Sequence, residues 1–233
     1  MSAEPPRLTP FGEIARSGDP DRFAAALFAR DETTRERLFT LIAFNLEIAR
    51  IPWLVSEPQL GAIRLAWWRE RLAAGDGGGG ADADAARAPL AAALHELMAE
   101  TGLDPELLGA MIDAREADLA EDAPPDRDAV DAYVTGTAAR LLQAAAWVAA
   151  APETPPETRH EIDLTARDAG WAQGAAALLR AAPELAARGR CVLPLAPADR
   201  AALAAGDTTP AARRAAGAIA EAALARLAAA RAR

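Results

Sequence analysis

Apolar and polar residues alternate along most of this chain with the period of an α-helix. After Asp31 the apolar side chains recur at i, i+3, i+4 and i+7, a spacing that places them on one helix face. They are Leu38, Leu41, Ile42, Leu46 and Ala49. Asn45 lies on the same face. Because Pro52 disfavours helical geometry at the residue before it, we expect this helix to end near Ile51.

A second apolar helix follows this proline. Ser56-Glu57-Pro58-Gln59 has the pattern of a capping box, with Ser56 as the N-cap residue. Two adjacent apolar stripes follow and carry Trp67 and Trp68, and together they form an arc wide enough for burial over much of the helix. We therefore expect the corner at Pro52 to Pro58 to join two antiparallel helices, with Leu46 and Trp67 both buried.

Proline and glycine divide the rest of the chain into further helices. The pattern predicts them at about 20–30, 87–101, 104–121, 127–151, 155–182 and 209–231. Residues 1–18 are rich in proline and polar groups, which predicts a flexible lead-in. Residues 74–86 contain four consecutive glycines, which predicts a mobile loop inside one helical domain spanning 19–233.

The amino-acid composition favours an all-α protein. Alanine dominates, and runs of β-branched or aromatic residues are almost absent from the 233 positions. The hydrophobic fraction of 52% is high enough for a buried core and argues against disorder. The single cysteine, Cys191, excludes an intramolecular disulfide, and with only two histidines the chain offers no Cys/His zinc pattern.

The net charge and the length of the apolar runs indicate which partners and which cellular environment the protein can have. A net charge of −9 argues against a nucleic-acid partner, which requires a basic face. The first twenty residues lack the apolar core of a signal peptide, and no apolar run reaches the roughly 18 residues of a spanning helix. We expect a cytoplasmic protein, and a local patch would allow peripheral contact at the inner face of the membrane.

Several segments, taken in order, carry a family resemblance. They are Asp21-Arg22-Phe23, the block 43–72, Ile112-Asp113-Ala114-Arg115-Glu116 with Asp118-Leu119, Tyr133 with Gly136-Thr137, Gly170-Trp171-Ala172, Leu179-Arg180, Gly189-Arg190 and Leu193-Pro194. Together they resemble the squalene/phytoene synthase family, whose all-helical enzymes join two prenyl diphosphates head to head. The resemblance implies an isoprenoid-synthase-type helical bundle around a central cavity.

The family resemblance also implies where metal-binding carboxylates should stand. In the family, two aspartate-rich helical turns hold the Mg²⁺ ions that neutralise the leaving diphosphate. In the register of this chain those places are Ala49, Arg50 and Trp53 in the first turn and Ala181, Glu184 and Leu185 in the second. Only Glu184 is acidic, and one carboxylate cannot organise several Mg²⁺ ions. We therefore expect no cofactor; Mg²⁺ would be needed only by an active transferase.

The block 44–70 is most similar to a branch of the family that lacks these motifs and includes the mitochondrial complex I assembly factor related to phytoene synthases. The resemblance implies a pseudoenzyme that serves as an interaction or assembly factor for a respiratory membrane complex. Its partner would then be a protein or a membrane-associated complex. An active head-to-head prenyl transferase and a prenyl-lipid binder are the two alternatives.

A set of polar and aromatic residues supplies the candidate contacts of the cavity. They are Asn45, Glu47, Arg50, Arg64, Trp67, Tyr133, Arg180 and Glu184. Catalytic residues cannot be assigned, and no metal ligand is predicted.

Each candidate also has a purely structural interpretation. Asn45 is either a ligand contact or a buried amide bonded to a neighbouring helix end. Glu47, Glu57 and Arg64 are expected to form an ion-pair cluster across the corner. Trp67 is either a cavity wall or plain core, and Tyr133 either offers its hydroxyl to the cavity or anchors its helix. The acidic residues Asp113, Glu116, Asp118, Glu121 and Asp122 are interpreted as a solvated face.

Overall fold

The computed structural model describes residues 8–74, 87–120 and 122–233, and their regular structure is entirely helical. The helices are α1 (Pro10–Gly18), α2 (Pro20–Ala26), α3 (Glu32–Arg50), α4 (Pro58–Ala74), α5 (Ala88–Thr101), α6 (Pro105–Ala114), α7 (Arg127–Val134), α8 (Arg140–Ala149), α9 (Pro156–Ala187), α10 (Pro197–Ala204) and α11 (Pro210–Ala232). Short 3₁₀ segments follow α3 and α6 at Ile51–Trp53 and Arg115–Leu119, and a π-helical turn, Thr135–Ala139, joins α7 to α8. This confirms the predicted all-α class.

Capping side chains fix the starts of several helices. The carboxylates of Asp19, Asp31 and Asp104 accept backbone N–H groups of the first turns of α2, α3 and α6, at 3.0, 2.6 and 2.9 Å. Each satisfies a donor that the helix itself leaves unpaired. In α4 the first residue is Pro58, so Glu57 and not the predicted Ser56 stands immediately before the helix.

The predicted flexible lead-in differs from the structure, because residues 10–18 form helix α1. Thr9 caps it by accepting the N–H of Gly12 at 3.1 Å. Gly12 and Ala15 are buried where α1 packs on α3, and a Cβ on Gly12 would lie 3.2 Å from the ring of Phe39. The Thr9-Pro10 start uses the same cap-and-proline chemistry as α2, and the helix gains its stability from burial against α3.

The corner at Pro52 is present, but the tryptophan that it buries is not the one predicted. Helix α4 packs principally against α6 and not alongside α3, as the expected antiparallel pair would require. Trp68 is fully buried, with its ring edge-on to Phe44 at 5.4 Å between centroids. Leu46 and Trp67 are only half-buried, so the expectation for this pair is wrong. The inward stripe of α4 is the one that contains Gly61, Leu65, Trp68 and Leu72.

The long helix α9 forms the spine on which the C-terminal part of the bundle packs. It contacts α8, the π-helical turn and α11. Gly170 permits the close approach, because a Cβ there would lie 2.8 Å from the Cα of Ala139 and 2.9 Å from the carbonyl oxygen of Ala138. On the α11 side, the buried carboxylate of Asp168 pairs with Arg233 at 2.8 Å and Arg226 at 3.7 Å.

Two sequence predictions concern the limits of this bundle. Residues 75–86, nearly all of the predicted glycine-rich loop at 74–86, lie outside the described residues. Across the described ranges, no helix combines the length and the apolar character that crossing a bilayer requires.

Candidate functional site

A cavity of about 510 Å³ lies between the C-terminal end of α3, the 3₁₀ segment after α6, helices α7 and α9, and the chain at 190–192. Its walls are mainly apolar, and Val130 and Leu178 are typical of them. A concave apolar site with a few polar groups is the usual form of a small-molecule pocket.

Three of the six positions that the family register assigns to metal ligands line this cavity. Ala49, Trp53 and Leu185 all line it, and none of them has an oxygen ligand in its side chain. Arg50 is exposed and pairs with Glu47, while Glu184 is exposed and pairs with Arg188 at 2.5 Å. The part of the cavity wall formed by these three residues is therefore apolar, and the one acidic position of the register, Glu184, lies outside the cavity.

A hydrogen-bonded cluster forms the polar end of the cavity. Arg115 donates from Nη1 to the Tyr133 hydroxyl at 2.8 Å and to Asp118 Oδ2 at 3.1 Å. The Tyr133 hydroxyl donates to the same Asp118 oxygen at 3.2 Å, and Arg115 Nη2 donates to Asn45 Oδ1 at 3.3 Å. The cluster joins α3, the 3₁₀ segment and α7, and its charges are balanced internally.

Burial of this cluster shifts two of its pKa values. The pKa of Tyr133 is raised to about 12, chiefly by burial; the charge of Arg115 opposes this rise, and the charge of Asp118 adds to it. For Arg115, burial alone lowers the pKa, but the interactions with Tyr133 and Asp118 raise it more, and the net shift is upward. Arg115 therefore stays charged and Tyr133 stays a neutral hydroxyl at ordinary pH.

The Tyr133 shift can be measured directly because Tyr133 is the only tyrosine in the chain. We expect near-ultraviolet absorbance of the phenolate to appear with a midpoint near pH 12 in the folded protein and near 10 in denaturant. A raised pKa means that this group contributes stability fully below pH 10 and loses it as the pH rises from 10 towards 12. Between pH 10 and 12 the free energy of unfolding of Tyr133→Phe should therefore fall less than that of the wild type. A native midpoint near 10 would contradict the buried placement.

Arg190 is the second cation of the cavity. Its Nη2 donates to the backbone carbonyl of Asp118, and its guanidinium carbon lies 4.9 Å from the ring centroid of Trp53. Within the described part of the chain it pairs with no carboxylate, in contrast to Arg115. Gly189, with φ of +80°, turns the chain after α9 so that Arg190 reaches the cavity.

Two of the predicted candidates belong to this site. Tyr133 lines the cavity, and Asn45 is buried behind it, where it contacts Arg115 and not the cavity itself. The interpretation of Asn45 as a buried amide with a protein partner agrees with this contact.

The other candidates lie elsewhere. Glu47 is buried and pairs with Arg50 and with Arg87 at 2.8 Å. Arg64 is half-buried and, across the described ranges, forms no ion pair, so the predicted Glu47–Glu57–Arg64 cluster is absent there. Trp67 packs against Trp68 and beneath the Arg71 guanidinium.

On α9, Arg180 and Glu184 are both exposed, and neither lines the cavity.

The sequence-based candidates omitted Arg115, Asp118 and Arg190. The prediction of a solvated acidic face agrees with the positions of Asp113 and Glu116. Both are exposed, and they pair with Arg69 at 2.5 and 2.7 Å. The interpretation is wrong for Asp118, which faces the cavity. Its i, i+3 spacing from Arg115 was the available signal.

The carboxylates present do not fit a magnesium cluster. Asp118 is engaged by Arg115 and Tyr133, and Asp122 is exposed and pairs with Arg200 at 3.4 Å. No group of three or more His, Cys, Asp or Glu side chains among residues 8–74, 87–120 and 122–233 could hold a metal ion. Mg²⁺ prefers several oxygen ligands in near-octahedral geometry, which these side chains do not supply.

The helical bundle and its cavity define an isoprenoid-synthase-type protein, and the chain belongs to the squalene/phytoene synthase family, whose model matches residues 15–233. Two similar curated proteins are both named NADH dehydrogenase (ubiquinone) complex I, assembly factor 6. The one from Bos taurus is 27% identical over 185 residues, and the one from Homo sapiens is 25% identical over 186. Each match covers 78% of this chain, which spans about half, 51%, of either relative.

Proposed function

We propose that this protein is a family member without prenyl-transfer activity that acts as an assembly factor for a respiratory NADH dehydrogenase. The observation that carries the proposal is the apolar character of the cavity at Ala49, Trp53 and Leu185, where the family places metal-binding carboxylates. The names of the two relatives support the choice of complex.

The physical argument against prenyl transfer rests on the leaving group. Ionisation of a prenyl diphosphate develops negative charge that Mg²⁺ must neutralise in a water-poor cavity. In this cavity the only cation without a carboxylate partner, within the described residues, is Arg190. One guanidinium replaces neither the charge nor the geometry of a metal cluster.

An exposed apolar surface beside the corner supports an interaction role. Four large apolar residues are exposed there: Trp53, Leu54, Leu60 and Ile63. Leu60 and Ile63 are three residues apart on α4 and therefore share one face. Exposed apolar side chains on one helix face are typical of protein–protein contact sites.

Deletion of the gene from its native organism tests the assembly role. We expect NADH:quinone oxidoreductase activity and the full-size complex on native gels to fall several-fold, while other respiratory complexes stay unchanged. Wild-type protein and Leu224→Ser, which alters an exposed leucine on α11, should restore the complex. The double variant Leu60→Ser/Ile63→Ser should fold but fail to restore it. Normal complex levels together with a loss of squalene- or phytoene-like products would favour the transferase alternative instead.

A further inference from the structure

The cavity combines a hydrocarbon-lined volume with one uncompensated cation. We propose that it binds a single-chain amphiphile whose polar head is a monoanion such as a carboxylate, and that Arg190 holds this head. The inference concerns the cavity alone and does not depend on the proposed assembly role.

The count of charges around the cavity selects a monoanionic head. Arg115 forms an ion pair with Asp118 at 3.1 Å, and Asp122 forms one with Arg200. The charges of these four side chains therefore cancel in pairs. The positive charge of Arg190 has no carboxylate partner among the described residues. A carboxylate head would neutralise it, whereas a diphosphate would bring further negative charge into an apolar site without a counter-ion.

The hydrogen-bonding capacity of the site points to the same residue. The Tyr133 hydroxyl already donates to Asp118 and accepts from Arg115. Arg190 uses one N–H for the Asp118 carbonyl, so most of the five donors of its guanidinium remain available. A planar guanidinium matches the two oxygens of a carboxylate, and the Trp53 ring 4.9 Å away restricts its orientation.

The size and lining of the cavity match one hydrocarbon chain. Its volume of about 510 Å³ falls within the range of about 300–1,000 Å³ typical of small-molecule sites. Ala49, Val130, Leu178 and Leu185 supply apolar walls. Burying a chain against them is favourable because it removes apolar surface from water.

Three probes that share one prenyl chain test the head-group preference. We would titrate farnesoate, farnesol and farnesyl diphosphate into the protein by calorimetry, with a chelator present to exclude divalent cations. Farnesoate should bind about 10- to 100-fold more tightly than farnesol, because it gains a charged hydrogen bond to Arg190. Farnesyl diphosphate should bind no more tightly than farnesoate.

Matched arginine variants separate recognition from general electrostatics. Arg190→Gln should remove the preference for farnesoate over farnesol, and Arg190→Lys should retain part of it. Arg188→Gln is the control, because Arg188 is exposed, pairs with Glu184 and lies near the same Trp53 ring without lining the cavity. Ala49→Phe should reduce binding of all three probes by filling the cavity, with unchanged circular dichroism.

Four results would overturn the proposal: equal binding of farnesoate and farnesol, metal-free diphosphate binding at least about tenfold tighter than farnesoate, equal effects of the two glutamine variants, or no binding of any probe to the folded protein.

Discussion

Replacing Trp68 with alanine should lower the free energy of unfolding by about 3–5 kcal/mol. The side chain is fully buried at the meeting of α3, α4 and α6, with its ring edge-on to Phe44. Its indole N–H has no hydrogen-bond partner among the residues that the structure describes, so the loss comes from packing and from the cavity that the substitution leaves. Urea denaturation followed by circular dichroism measures the change.

The neighbouring tryptophan is the matched control for this substitution. Trp67 is half-buried and lies beneath guanidinium groups at the edge of the core, so Trp67→Ala should cost about 1–2 kcal/mol. Equal losses for the two variants would contradict the assignment of Trp68 to the inner face of α4.

The helix positions were largely predictable because their determinants are local. Asp31 and Asp104 act as caps whose side chains bond within the same turn. Which stripe of α4 faces inward was not predictable, because Trp67 and Trp68 stand in one broad apolar arc. The choice depends on α3 and α6, whose contacts are distant in sequence.

The site was predictable only in part, for the same physical reason. Ala49, Trp53 and Leu185 from the family register line one cavity together with the candidate Tyr133, whereas Arg50, Ala181 and Glu184 from the same register do not line it. The pairing of Tyr133 with Arg115 depends on a 3₁₀ turn that the helical pattern did not indicate. Arg190 reaches the cavity through an irregular segment after α9, and hydrophobic periodicity contains no information about such a segment.

The second large effect that we expect is the absence of magnesium-dependent diphosphate release. An active member of the squalene/phytoene synthase family would ionise a prenyl diphosphate with metal ions bound to the diphosphate oxygens. These ions would supply most of the stabilisation of the transition state. Here Ala49, Trp53 and Leu185 occupy the corresponding wall, and the carboxylate of Asp118, which also lines the cavity, is held by Arg115. A hard dication would keep its water shell in preference to this site.

The measurement that tests this account most directly is incubation of the purified protein with farnesyl and geranylgeranyl diphosphates in the presence of Mg²⁺. Diphosphate release is quantified, and squalene- or phytoene-like products are sought by mass spectrometry. The account predicts release at the rate of a protein-free control and no head-to-head product. Magnesium-dependent turnover that is abolished by Asp118→Asn or Glu184→Ala would contradict it and establish a prenyl transferase.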